Sequence, residues 1–176
     1  MTEFKAINAK YSVAGQLANG DIAMARLNGF LSVIDNRPDH ETGVTISSDE
    51  ASVQARENAL NFVYAPMENH LIYQDETIDR FIAAIDTLSD PVLAYCRTGT
   101  RCTILWALAA ARFQPAKLVL DHLMANGFEE FDILDDDMAD QSRRYFETAS
   151  QPVVVPEIFK LSAVSKERVT EQSKAA

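Results

Sequence analysis

The sequence predicts an α/β fold: a mostly parallel sheet flanked by helices. Three observations carry that reading. Short apolar segments of strand length alternate with capped or amphipathic segments of helix length. Repeating β–α units imply crossovers that leave the strands parallel and put helices on both sheet faces. One segment, Pro91-Val92-Leu93-Ala94-Tyr95, runs through a Gly-containing loop into a helix-forming run, an arrangement that gathers backbone N–H groups around an anion.

The elements follow in order. Phe4 to Ala14 reads as a strand with its lead-in. Asn19 is placed to cap a helix running to about Asn28, and Gly29 to end it. Leu31 to Ile34 is a strand, followed by a polar loop from Asn36 to Ser47. Ser47-x-x-Glu50 has capping-box spacing and opens a helix to about Leu60. Phe62-Val63-Tyr64 is a strand and Pro66 to Gln74 a loop. Glu76 to Leu88 sets Ile78, Phe81, Ile82 and Ile85 on one helical face. After Tyr95 and its loop, a helix is expected from Thr103 to Arg112. Pro115 opens another, closed by Asn126-Gly127, and a last helix is expected from about Asp136 to Ala149. Ligands of such sheets sit at the carboxyl ends of the strands, where the loops after Asp35, Ala65 and Tyr95 emerge.

Composition bounds the function. A chain of 176 residues suits one domain with a sizeable core, expected over residues 1–150, with 151–176 as a C-terminal tail or linker. That tail opens on Gln151-Pro152 and a Val-Val-Val-Pro stretch and turns polar, so little packing is expected beyond about Phe159. The net charge is −10, with seven acidic and no basic side chains between Gly127 and Asp140. Such a surface repels nucleic acid and anionic membranes, and neither is expected as a partner. The longest apolar run, Ile104 to Ala111, is too short to span a bilayer, and Met1 to Ala6 lacks the apolar core of a leader. Two cysteines, one in a reactive loop, point to a reducing cytoplasm. No metal-ligand spacing involves His40, His70 or His122, and no cofactor is implied.

The chemistry lies in Cys96-Arg97-Thr98-Gly99-Thr100-Arg101. Gly99 frees the backbone for a conformation that a Cβ forbids. Arg101 adds a planar fork of donors matched to an oxyanion. The field that binds an anion also stabilises a thiolate, so Cys96 is expected to be an acidic nucleophile. Arg97, Thr98, Gly99 and Thr100 are expected to bind substrate, with Arg97 facing the mouth and favouring small doubly charged anions. Asp39 and Glu68 lie on loops near the strand ends. The two compete as general acid if the reaction needs one, Glu68 with the better chain position, and Asp39 is also read as a substrate contact. Arg37 is expected to form a structural ion pair with Asp39 or Glu41.

These residues carry a resemblance. C-x4-R with a basic second residue resembles the active-site loop of single-domain rhodaneses. Gly15-Gln16, Val33 to Asp39 and Ala94 to Arg101 resemble the phosphatase-like domain of beta-lactamase-hydrolase-like proteins, over about residues 8 to 140. The resemblance implies a protein-tyrosine-phosphatase-like fold carrying a sulfurtransferase-type loop. It also implies a small anionic sulfur donor, a small thiol acceptor, and a fused or separate sulfide-oxidation enzyme as partner. Tyrosine phosphatases usually place His before the cysteine, five residues between Cys and Arg, and Ser or Thr after the arginine. This chain has Tyr95, four residues and Cys102. In related loops the side chain after the arginine turns back toward the nucleophile, which makes Cys102 a redox partner of Cys96; the alternative is a small packed residue.

Three functions remain open at this point. Sulfane-sulfur transfer through a Cys96 persulfide is preferred, because sulfite leaves without an acid and the loop is short. A dual-specificity-type phosphatase working through a Cys96 phosphocysteine is the first alternative. A non-catalytic oxyanion-binding or redox-sensing module is the second.

Overall fold

The computed structural model describes residues 2–128 and 154–163. Its five strands are β1 (Phe4–Ala6), β2 (Tyr11–Ala14), β3 (Ser32–Asp35), β4 (Asn61–Tyr64) and β5 (Val92–Tyr95), in the spatial order β1-β2-β5-β3-β4. Only β1 is antiparallel to its neighbour. The expected mixed α/β architecture is therefore present. The first expected strand is in fact two: Asn8 accepts from the Lys10 and Tyr11 N–H groups and closes a turn that folds β1 back on β2.

β5 is central and wholly buried, as its continuous apolar composition requires of a strand covered on both faces. Its side chains alternate. Val92, Ala94 and Cys96 face a core under α3 (Asp75–Asp86), α4 (Thr100–Ala111) and α5 (Ala116–Ala125). Leu93 and Tyr95 face a second core under α1 (Asp21–Leu27) and α2 (Ser48–Glu57). Cys96 thus continues the strand's period onto the α4 side.

Helix ends follow local chemistry. Ser47 and Glu50 form the expected capping box of α2. Asn19 does not cap α1; its Oδ1 accepts from Gln54, and Gly20, at φ 93°, is the N-cap. No side chain caps this helix; the Asp21 carboxylate instead accepts from the Ala18 N–H and the Thr2 hydroxyl, tying the preceding chain to the helix start. α4 begins at Thr100, three residues earlier than expected, so its first turn belongs to the Cys loop. It is buried almost all round, as a helix of Leu, Trp and Ala should be. The helix expected over residues 136–149 lies outside the described residues.

The start of the expected tail is part of the domain. Phe159 is fully buried against Trp106 and Phe113. The Ile158 carbonyl accepts from the Trp106 indole at 3.0 Å and from Asn8 at 2.9 Å. No helix among the described residues is long and apolar enough to cross a membrane.

Candidate active site

Cys96 leaves the end of the central strand and is 1% exposed. The loop beyond it folds over the sulfur. Gly99, at φ 90°, turns its N–H onto Cys96 Sγ at 3.2 Å. A Cβ at Gly99 would stand 3.3 Å from the Ala14 carbonyl oxygen, a tight contact at a backbone conformation that side chains rarely adopt, so both conformation and space favour glycine. The end of β2 supports the loop from behind: the Gln16 N–H donates to the Arg97 carbonyl at 3.2 Å. Thr103 Oγ1 and its N–H both donate to the Gly99 carbonyl, locking loop to helix.

Cys96 has a pKa lowered to about 5. The largest cause is a hydrogen bond from the Cys102 thiol. The Cys102 and Thr98 N–H groups and the Arg101 charge add to it, against the opposing effect of burial. At neutral pH Cys96 is a thiolate. Cys102, completely buried, is pushed up by burial and by the hydrogen bond it gives, and so stays a protonated donor.

Arg101 is aimed by two groups. Nη1 donates to the Met67 carbonyl at 2.7 Å and meets Glu41 Oε1 at 2.7 Å, while Nη2 donates to Glu41 Oε2 at 2.8 Å. A guanidinium has five N–H donors. Nε–H and the second Nη2–H, neighbours on one edge, therefore remain for a bidentate grip on an anion. The Glu41 carboxyl is held below the usual range, first by its hydrogen bond from Arg101 and also by Arg37. Arg37 is 3% exposed and gives Nε to Glu41 at 3.1 Å, Nη1 to Gln16 at 2.6 Å and Nη2 to the Thr42 carbonyl at 2.7 Å. It is the structural ion pair expected of it, with Glu41 as the partner.

The other expected residues divide. Thr98 and Thr100 stand exposed at the rim, with hydroxyl oxygens 3.1 Å apart. Arg97 is exposed at the mouth. Asp39 is occupied elsewhere: its carboxylate accepts from the Ser48 N–H at 2.9 Å and the Ser48 hydroxyl at 2.6 Å, holding the start of α2. Glu68 stands beside Met67 and lies 3.1 Å from His40 Nε2.

Two functional residues escaped the sequence reading in these roles. Glu41 was legible only as a local partner of Arg37; its contact with Arg101, sixty residues away, exists because β3 lies beside β5. Asp35 sits opposite Tyr95 across that same pair, accepting its hydroxyl at 2.7 Å and the Arg37 N–H at 2.8 Å. Burial raises its pKa to about 6. Among the described residues, no cluster of three His, Cys, Asp or Glu side chains is arranged to hold a metal.

A cavity of about 380 Å³ opens beside the loop, lined by Arg97, Thr98, Thr100 and Arg101 together with Asn69, Ile72, Tyr73 and Ile104. The assembled site is a thiolate beneath a ring of amides, with a pre-aimed guanidinium edge. It can bind an oxyanion and present a nucleophile to its central atom.

Comparison with known proteins gives the lineage. Residues 3–113 match the family described as the beta-lactamase hydrolase-like protein, phosphatase-like domain. A beta-lactamase hydrolase-like protein of Xylella fastidiosa is 30% identical over 103 residues, which are 58% of this chain and 24% of that protein. The chain thus spans about a quarter of the length of the curated relatives it matches. A putative phosphatase from Neisseria meningitidis, 25% identical, superposes with a TM-score of 0.66 over 77% of this chain and 96% of its own. A mutant form of Tk-PTP, 15% identical, superposes at 0.61 over 84% of this chain and 98% of its own, a likeness of fold. The expected phosphatase-like fold is therefore present, and the chain belongs to the beta-lactamase hydrolase-like protein, phosphatase-like domain family.

Proposed function

We propose that this chain transfers sulfane sulfur through a persulfide on Cys96. The observation that carries this reading is the four-residue loop closed on a Cys96 thiolate while two nearby carboxylates are engaged elsewhere. Asp39 holds α2 and Glu68 pairs with His40. In the step, the Cys96 thiolate attacks the outer sulfur of thiosulfate, the S–S bond breaks, and sulfite departs with the electron pair. Sulfite is a stable anion and needs no proton. Arg101 and the loop amides hold the sulfonate oxygens and then the charged persulfide. A small thiol next takes the outer sulfur as its own persulfide and returns Cys96 to thiolate. A sulfide-oxidising enzyme, fused or separate, is the partner that would consume that product.

The second reading is a phosphatase, supported by the likeness to the putative phosphatase from Neisseria meningitidis and by Glu68 beside the Arg101-orienting Met67. The two separate in one experiment. Intact mass spectrometry after thiosulfate treatment is expected to show one added sulfur atom, lost on adding thiol and absent in Cys96→Ser. Arg101→Lys should remain badly impaired because the bidentate edge is gone. Rapid aryl phosphate hydrolysis with no sulfur adduct would reverse the ranking, and loss of that rate in Glu68→Gln would identify the acid.

Cys102 adds a redox step to the same site. Peroxide oxidises the Cys96 thiolate to a sulfenic acid; the Cys102 thiol attacks that sulfur, water leaves, and a disulfide forms. Two equivalents of a thiol reductant restore both cysteines. Peptide mapping after peroxide treatment should find the Cys96–Cys102 crosslink, whereas overoxidised Cys96 beside an intact Cys102 thiol would assign Cys102 to packing.

A further inference from the structure

Arg37 and Arg101, at this end of the sheet, share Glu41. Arg97 does not: its side chain has no hydrogen-bond or ion-pair partner among the described residues, in a chain that carries −10 overall. It lines the cavity beside the Cys loop, as does Tyr73. The volume there, about 380 Å³, falls in the range that organic ligands fill, roughly 300–1,000 Å³. Cys96 is not among its walls, so an oxyanion held over the sulfur and gripped by Arg101, which does line the cavity, leaves most of it vacant. The remaining walls are chemically mixed, with Ile72, Ile104 and the Tyr73 ring beside the free guanidinium.

We infer that the molecule turned over here is organic and carries a second anionic group. Its oxyanion head occupies the loop, its flat or apolar body lies against Tyr73 and Ile104, and its second anion pairs with Arg97. Thiosulfate, the small donor of the proposed reaction, fills only the head position and serves as a minimal substrate. With no partner among the described residues, Arg97 has no ion pair there to break, and the pair costs only the ordering of one flexible side chain. Arg97 is then the residue that sets specificity, distinct in role from Arg101, which grips the reacting group.

The inference rests on the oxyanion-binding part of the proposed function and is independent of whether sulfur or phosphoryl is transferred. Unreactive probes separate the two. Inorganic phosphate, phenylphosphonate, 3-phosphonobenzoate and 4-phosphonobenzoate are titrated into the wild-type protein by calorimetry. Phenylphosphonate should bind more tightly than phosphate, and one phosphonobenzoate more tightly again, by roughly three- to tenfold as expected of a partly exposed, charge-assisted pair. The carboxylate gain should vanish in Arg97→Gln, persist in part in Arg97→Lys, and shrink in high salt. The phenyl gain should fall in Tyr73→Ala. Equal binding of phenylphosphonate and both phosphonobenzoates, or a carboxylate gain that survives Arg97→Gln, overturns this inference and leaves the proposed function standing. Failure of all four probes to bind overturns the oxyanion cradle, and with it both readings.

Discussion

The acidity of Cys96 comes mainly from one neighbouring donor. The Cys102 thiol hydrogen-bonds its sulfur, and the loop amides and Arg101 assist. Cys102→Ala removes that donor while leaving the amides. The midpoint of iodoacetamide alkylation, expected near the Cys96 value of about 5, should then move up toward the ordinary thiol range. The rate at pH 6 falls, and the rate at pH 9 holds. Cys102→Ser keeps a donor in place and should recover most of the acidity. Glu41 works through Arg101 rather than on the anion. Glu41→Gln keeps the shape but loses the charge and one acceptor, so the guanidinium edge is no longer fixed. Turnover of an oxyanion substrate should fall roughly 10- to 100-fold, the scale of a small misplacement of a catalytic group. Alkylation by uncharged iodoacetamide should change far less, because the Cys102 hydrogen bond and the amides remain. An equal fall in both rates would reduce Glu41 to a folding role.

The site also depends on how neighbouring strands end. β2, β5 and β3 finish side by side, with Ala14, Tyr95 and Asp35 in register, so three loops converge on one edge. Tyr95 and Asp35 tie two of those ends together beneath the Cys loop through a 2.7 Å hydrogen bond. Asp35 holds its proton more tightly in the folded chain than in the unfolded one, with a pKa of about 6. Stability from that proton is therefore full below the ordinary carboxyl value and is lost as pH rises through about 6. The loss amounts to roughly 2–3 kcal/mol. Asp35→Asn cannot ionise and escapes it. The difference in Tm, variant minus wild type, should become more positive between pH 4 and pH 7.5. A difference that is flat across that interval would show that Asp35 does not titrate in the folded protein.

At the scale of the molecule, the chain closes on itself. Residues 157–159 form a short 3-10 turn that seats Ile158 and Phe159 in the core shared by α3, α4 and α5. Gln114 and Trp106 bind its carbonyls, and Asn8 reaches it from the turn between β1 and β2. Phe159→Ala should cost about 3–5 kcal/mol, as deletion of a buried aromatic does. Tm should fall by roughly 10 °C at this chain length. Thermal denaturation followed by circular dichroism measures it. A change under 1 °C would mean that the segment rests on the domain without stabilising it.

Much of this was readable residue by residue. The capping box at Ser47 and Glu50, the apolar face of α3 and the strand–Cys–Gly–Arg–helix order are local patterns with fixed periods or spacings, and each is present in the fold. The nucleophile, its arginine and the glycine that bends the loop between them come from one contiguous segment, so their chemistry follows from chain order. What the linear order conceals is which strand ends lie together. Glu41 reaches Arg101, and Asp35 reaches Tyr95, across sixty residues, because β3 pairs with β5 as well as with β4, its neighbour in sequence. Asp39 is drawn away from the mouth because the start of α2 lies closer. The sequence by itself determined the thiolate and the oxyanion grip, which depend on spacing within one loop. The tertiary structure alone decided what aims the arginine and which side chain at the mouth has no partner among the described residues, because those depend on distances set by packing.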